Sequence, residues 1–137
     1  MSKGKFKLLS DEEVRNALIG ALEGGSNYWF FLKKEATDKI KEEYNNLSDS
    51  YKDNVEFDNC ISVMLFHVLM NDIEIPVYGQ EIDELLGVIS LKTMQMAEEL
   101  MMKEHNESLR RMITGDSDAF DDDIFFQLSV MQDVVFT

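Results

Sequence analysis

Apolar residues recur at intervals of three and four over four stretches of this chain, which is the spacing of one face of an α-helix. These stretches lie at about residues 11–23, 33–53, 90–113 and from 116 or 117 onward, and the length of a continuous apolar run at 60–70 favours a buried helix over a strand. Two short apolar runs, at 73–78 and 85–89, are typical of the strands of a hairpin. The aromatic run at 28–32 is typical of a short buried strand or an extended packing segment. The pattern predicts a mostly helical α+β fold with about five helices and one small β-hairpin near residues 73–89.

Several residues mark the ends of these elements. Ser10 and Glu13 have the spacing of a capping box at the first helix. Gly24 and Gly25 suit a left-handed helix C-cap. Pro76 cannot donate to a ladder, so we expect its strand at a sheet edge. The predicted helix over 90–113 ends at Thr114-Gly115, and a length of 137 residues fits one domain, residues 1–137.

The charge of the chain favours some classes of binding partner and disfavours others. It has 13 basic and 27 acidic residues, for a formal net charge of -14. The stretch 59–137 holds 4 basic and 15 acidic residues, a net charge of -11. Such a field repels nucleic-acid phosphates and anionic membranes, so we expect neither as a direct partner, whereas a basic protein surface would be attracted. The single cysteine and the lack of a long apolar run predict a cytoplasmic protein.

Five aspartates crowd the start of the last helix, and two interpretations of them stay open. They are Asp116, Asp118, Asp121, Asp122 and Asp123. An EF-hand starting at Asp116 would need oxygen ligands where Phe120 stands, so that pattern fails. Aspartates also favour a helix N-terminus because its free N–H groups and dipole attract negative charge, with Asp116 or Ser117 as the cap. We prefer this second interpretation to a dedicated Ca²⁺ or Mg²⁺ site.

The remaining reactive side chains match no catalytic pattern. His67 and His105 lack the glutamate three residues earlier that a di-iron helix needs. Cys60 has no nucleophile signature around it. We therefore predict no enzymatic activity, no metal and no cofactor.

The chain contains a segment, Gly-Gly-Ser-Asn-Tyr-Trp at 24–29, that combines backbone amides with aromatic rings. Such a segment could bind a nucleotide-like ligand, or it could be a helix cap followed by core residues. Residues 21–29 (ALEGGSNYW) resemble the ALEGGSNYWY stretch of an uncharacterised family of small bacteriophage and prophage proteins. Residues 115–136 are similar to the family's closing segment, GDxDAxxxDxxxQxxxxGEIVFG, although Gln132-Asp133 replaces its Gly-Glu and Thr137 its final glycine.

The resemblance implies a phage or prophage origin and no particular reaction. We therefore expect an accessory protein that binds a host protein in a counter-defence or host-takeover role, in which the acidic half could mimic DNA. A small-molecule or nucleotide-signal binder is the alternative, an Mg²⁺ enzyme ranks last, and a virion part stays open. The candidate interaction residues are Gly24, Gly25, Ser26, Asn27, Tyr28, Trp29, Asp116, Asp118, Asp121 and Gln127.

Two further expectations concern packing. We expect the two motif segments to meet, with Trp29 against a face formed by Phe120 and Ile124. We also expect a homodimer, because the methionines of the helix at 90–113 point in too many directions to be buried in one core. This helix or the last one would form the interface.

Overall fold

The structure, a computed structural model, describes residues 5–26, 28–47, 60–80 and 84–136. The helices in these ranges are α1 (Asp11–Gly20), α2 (Lys34–Asn45), α3 (Ile61–Met70), α4 (Leu91–Glu104), α5 (Asn106–Thr114) and α6 (Ala119–Met131). A π-helical turn (Ala21–Gly25) continues α1, and the strands are β1 (Phe30–Phe31), β2 (Ile75–Gly79) and β3 (Leu85–Ile89). The predicted α+β class and the hairpin are therefore confirmed, and the aromatic run contributes a short third strand.

The sheet is antiparallel throughout, with β2 in the middle and β1 and β3 at its sides. The expectation that Pro76 places its strand at a sheet edge is therefore wrong for the strand as a whole. The physical rule still holds locally, because β1 pairs only with Tyr78 and Gly79. Among the described strands, β2 pairs at Pro76 only with β3, where Pro76 lies opposite Val88.

The last helix, α6, is the centre of the fold. Nine of its thirteen residues are buried, in an almost unbroken run from Asp121 to Val130, as expected of a helix surrounded by other elements. It packs against α1, α4, α5 and β3. Two expectations fail here: Asp118, not Asp116 or Ser117, is the N-cap, and Phe120 is 63% exposed although it was placed on the buried face.

The single helix predicted over 90–113 is two helices, α4 and α5, which meet at His105. His105 leaves the helical conformation, with φ -135° and ψ 47°. The break redirects α5 so that Ser108 and Arg111 reach a carboxylate on α6. Met94 and Met101 of α4 are fully buried, whereas Met96 and Met102 are exposed.

Helix termini follow their sequence signals in part. The capping box of Ser10 and Glu13 is present, with both reciprocal hydrogen bonds. Gly24 is not left-handed: α1 continues into the wider π turn, and Gly24 has φ 178°. Gly115 is left-handed, with φ 83°, and ends α5 as predicted. Gln132 keeps a left-handed turn after α6, with φ 59°, at the position where the phage family has glycine.

The two helices predicted from the middle of the chain are present within the described ranges. Ile40 and Tyr44 form the buried stripe of α2, and α3 begins one residue after Cys60. His67 is partly buried between the rings of Tyr44 and Phe66, as expected of a packed histidine. The part of the predicted helix 33–53 that follows residue 47 lies outside the described residues.

Candidate functional site

The two motif segments meet at one buried carboxylate. Asp123, on α6, is 7% exposed. Its Oδ1 accepts hydrogen bonds from Ser26 Oγ at 2.7 Å and from Trp29 Nε1 at 2.7 Å. Its Oδ2 accepts from Tyr28 Oη at 2.5 Å and from Gln127 Nε2 at 3.0 Å. We call these five residues the Asp123 hub.

All four donors of the hub are uncharged, so the carboxylate is solvated by dipoles rather than by a cation. A carboxylate that accepts several hydrogen bonds in the interior replaces its lost water without an ion pair. Burial, together with the hydrogen bond to Asp123, raises the pKa of Tyr28 to about 12. Tyr28 therefore keeps its proton, and its role in the hub is that of a permanent donor.

Gln127 extends the hub to the segment after α6. Its Oε1 accepts from the backbone N–H groups of Val135 and Phe136, and its Nε2 donates to the Phe136 carbonyl. The Phe136 ring stacks on Trp29, with centroids 5.3 Å apart and planes 9° apart. The side-chain amide of Gln127 thus both accepts from and donates to the backbone of residues 135–136, as the backbone of a neighbouring strand would.

A second buried carboxylate, Asp121, joins α5 to α6. Arg111 donates to both of its oxygens, at 2.9 Å and 2.7 Å, and Ser108 donates at 2.7 Å. The backbone N–H of Asp118 completes a capping box. Burial raises the pKa of Asp121, but the hydrogen bonds from Arg111, Ser108 and Asp118 outweigh it and hold the pKa below its usual value.

The structure brings four of the candidate interaction residues together: Ser26, Tyr28, Trp29 and Gln127. Asp118 and Asp121 form the cap of α6, and Asp116 is exposed and accepts from the Thr114 hydroxyl. Gly24 and Gly25 lie in the π turn, and Asn27 lies outside the described residues. Asp123, the centre of the hub, was not among the candidates, because its sequence surroundings resemble those of the other helix-start aspartates.

The two motif segments pack together, as expected, but on a different face of α6. Trp29 is 3% exposed and contacts the rings of Phe30, Phe126 and Phe136. These contacts place it on the side of α6 that carries Asp123 and Phe126. The expected partner Phe120 is exposed instead.

The chemistry available to these acids is limited by their hydrogen bonds. Ser26, Trp29 and Gln127 are buried and already paired with Asp123, so their polar atoms are not presented to a ligand. Within the described ranges, no three His, Cys, Asp or Glu side chains are grouped so that they could hold a metal ion. The geometry of the hub is therefore that of a structural centre.

A third buried acid was missed by sequence reasoning. Glu98, on α4, is 1% exposed and accepts from three consecutive backbone N–H groups, those of Lys7, Leu8 and Leu9, each at 2.8 Å. It holds the segment before α1 against α4. Only its position on the buried face of α4, in register with Met94 and Met101, could have indicated this from the sequence.

Asp122 differs from its neighbours because it lies against α1. A side chain at Gly20 would overlap its Oδ2, so glycine makes room for this carboxylate. Burial, with the charges of Asp121 and Asp118, raises the pKa of Asp122 to about 7. The pKa of an aspartate in the unfolded chain is about 3.9. Between about pH 4 and pH 7 the folded state therefore keeps a proton on Asp122 that the unfolded state has released.

We expect Asp122 to make the protein less stable as the pH rises from about 4 to about 7, with no further change from this group at higher pH. The variant Asp122→Asn has no proton to lose at this position, so its stability should not fall over this pH range on account of residue 122. The free energy of unfolding of the variant minus that of the wild type should therefore be larger at pH 8 than at pH 5. Urea unfolding of both proteins at the two pH values measures it. Asp116→Asn, at an exposed aspartate, is the control and should keep the wild-type pH dependence.

The strand register also defines which side chains share the outer face of the sheet. Phe31 lies opposite Tyr78, and Tyr78 lies opposite Leu85, so these three side chains form one row on one face. Pro76 and Val88 form the next row on that face. We call these five residues the outer apolar face.

The two faces of the sheet have different surroundings. The opposite face holds Phe30, whose ring contacts Phe126, and Gly87, where a Cβ would overlap the Val130 carbonyl. That face is therefore closed by α6. On the outer apolar face Leu85 is 57% exposed and Phe31 is 38% exposed, and the ammonium of Lys33 lies 4.1 Å from the centre of the Tyr78 ring.

No protein-family model, curated protein or solved structure matches this chain. In the part of the chain that the structure describes, none of the helices combines the length and apolarity needed to cross a bilayer.

Proposed function

We propose that this protein acts by binding another protein and not by catalysis, and that the outer apolar face is its contact surface. The observation that carries the proposal is the register that sets Phe31, Tyr78 and Leu85 side by side on the face of the sheet that α6 does not cover. Contiguous exposed apolar residues are characteristic of interaction surfaces, and aromatic residues contribute strongly there.

The partner is proposed to be a protein of a bacterial host. The resemblance of residues 21–29 and 115–136 to phage and prophage proteins supports this choice, with action in the host cytoplasm in a counter-defence or takeover role. Glu74 and Glu84, next to β2 and β3, are exposed beside the apolar face. The partner surface that would complement this face is an apolar patch with a basic rim. The net charge of -14 on this chain would speed association with such a basic partner.

A nucleotide-signal binder that uses the segment 24–29 is the second candidate, and its support is weaker. Ser26 Oγ and Trp29 Nε1 already donate hydrogen bonds to Asp123, and the Phe136 ring covers one side of the indole ring. A stacked base would have to displace Phe136. The buried negative charge of Asp123 beside that position would also oppose a phosphate.

The experiment compares two matched surface changes in the full chain. Phe31→Ser, best combined with Leu85→Ser, should weaken capture of the host protein about tenfold or more, as loss of central contact residues does. Met96→Ser removes an apolar side chain of nearly equal exposure, 40% against 38%, from α4 and should leave capture unchanged. Affinity capture from host lysate, followed by titration of the captured protein, measures both.

Two results of this experiment would contradict the proposal. One is capture that survives the Phe31→Ser/Leu85→Ser change, and the other is an equal loss of capture in the Met96→Ser variant. Unfolding curves of all three variants establish that a lost interaction is not a lost fold. Raising the salt concentration should weaken the complex, because screening reduces attraction between opposite charges.

A further inference from the structure

A cleft with a volume of about 560 Å³ lies between β1 and α2. The π-helical turn, β1 with the residue that follows it, and the first residue of α3 supply its apolar wall. The apolar residues that line the cleft are Leu22, Phe30, Phe31, Leu32 and Ile61. Small-molecule sites have volumes of this order, and they are mostly apolar with a few polar groups that orient the ligand.

Three polar side chains complete the lining of the cleft. Thr37 and Lys41 lie on α2, and Gln80 follows β2. Thr37 and Lys41 are four residues apart, so they share one face of the helix. Within the described ranges, none of these three side chains forms a hydrogen bond or an ion pair with the protein. Their polar atoms are therefore available to a ligand, in contrast to those of the Asp123 hub.

The charge of the lining is opposite to that of the chain. The chain has a net charge of -14, whereas Lys41 is the one charged side chain among the described residues that line the cleft. Other lysines of this region are already engaged, since Lys33 lies over the Tyr78 ring and Lys34 pairs with Asp38. Charges more than about 8 Å away are largely screened at physiological ionic strength. The charge that a bound ligand meets is therefore mainly that of Lys41.

We propose that this cleft binds a small amphipathic carboxylate, with its apolar chain against the wall at β1 and its carboxylate on Lys41. An ammonium at the rim of an apolar cleft complements an anionic group at the end of an apolar chain. One ammonium balances the single charge of a carboxylate, whereas a phosphate monoester would bring up to about two negative charges to an acidic chain. This site is additional to the proposed function and shares only Phe31 with the outer apolar face.

The first test is isothermal titration calorimetry of the full chain with decanoate, octanoate and decanol, each below the concentration at which it self-associates. We expect one decanoate per chain. Decanoate should bind about tenfold more tightly than octanoate, because each buried CH₂ group contributes roughly fourfold. Decanol has the same chain without the charge, and it should bind about fivefold more weakly than decanoate. No saturable binding of decanoate, or equal affinity for decanol, would overturn the proposal.

The second test uses substitutions at exposed residues, so that the fold is retained. Lys41→Gln should weaken decanoate binding about fivefold and leave decanol binding unchanged. Gln80→Glu places a negative charge in the cleft and should weaken decanoate binding in the same selective way. Lys39→Gln is the matched control, because it removes an equal charge from α2 at a position that does not line the cleft. Equal losses in Lys41→Gln and Lys39→Gln would show an effect of net charge alone and refute the site.

The outcomes separate this proposal from the proposed function. Lys41→Gln leaves the outer apolar face intact, so its capture of the host protein should equal that of the wild type. Decanoate binding without capture of a host protein supports the cleft and contradicts the docking surface. Capture of a host protein without saturable decanoate binding has the reverse meaning.

Discussion

Replacing Asp123 with alanine is expected to lower the free energy of unfolding by about 4 kcal/mol. The change leaves Ser26 Oγ, Trp29 Nε1 and Gln127 Nε2 without their shared acceptor in the interior. Buried donors without a partner are costly, since their lost hydration is not replaced. Urea unfolding followed by the fluorescence of Trp29, the only tryptophan in the chain, measures the loss.

Two further variants make this result specific to the hub. Asp123→Asn keeps the shape and one acceptor oxygen, so its loss should be intermediate. Asp133→Ala removes an exposed aspartate whose described hydrogen bond is to the N–H of the next residue, and its stability should be close to wild type. A loss of less than about 1 kcal/mol in Asp123→Ala would show that the hub does not stabilise the fold.

The second large effect is expected for Glu98→Ala, with a loss of about 3 kcal/mol. Glu98 accepts from three consecutive backbone N–H groups, and that of Leu9 is buried. Without the Glu98 carboxylate, the backbone N–H groups of Lys7, Leu8 and Leu9 lose the acceptor that replaces their hydrogen bonds to water in the folded state. Hydrogen exchange at these three amides should also become faster, because their protection depends on this side chain.

The neighbouring residue provides the control. Glu99 is exposed and forms an ion pair with Lys7 at the surface. Exposed ion pairs contribute little to stability, since water and salt screen them. Glu99→Ala should therefore leave both the unfolding curve and the exchange of the three amides nearly unchanged. Equal effects of the two substitutions would contradict the role assigned to Glu98.

The secondary structure could largely be predicted because its signals are local. The capping box of Ser10 and Glu13 and the left-handed Gly115 require only neighbouring residues to form. The hairpin also follows from short-range pattern. The edge position expected from Pro76 was wrong, because β1, from a distant part of the chain, pairs with β2 at Tyr78 and Gly79.

The break at His105 could not be predicted from periodicity. Apolar residues continue at helical spacing on both sides of it, so the sequence alone indicates one helix. The break is favoured by contacts made in three dimensions, in which Ser108 and Arg111 of α5 bind Asp121 of α6. Such contacts join residues that a helical pattern does not relate.

What the sequence determined by itself is the place of most helices and of the hairpin, and the acidic character of the chain, because helix periodicity, caps and net charge depend on residue type and short spacing. The roles of the acids were decided by the tertiary structure. Asp118 caps a helix and Asp123 organises the core, although both belong to the same aspartate-rich stretch. The donors of Asp123 include Ser26 and Trp29, which lie 97 and 94 residues away along the chain. The outer apolar face likewise exists only because α6 closes the other side of the sheet, and no local pattern states which side a helix will cover.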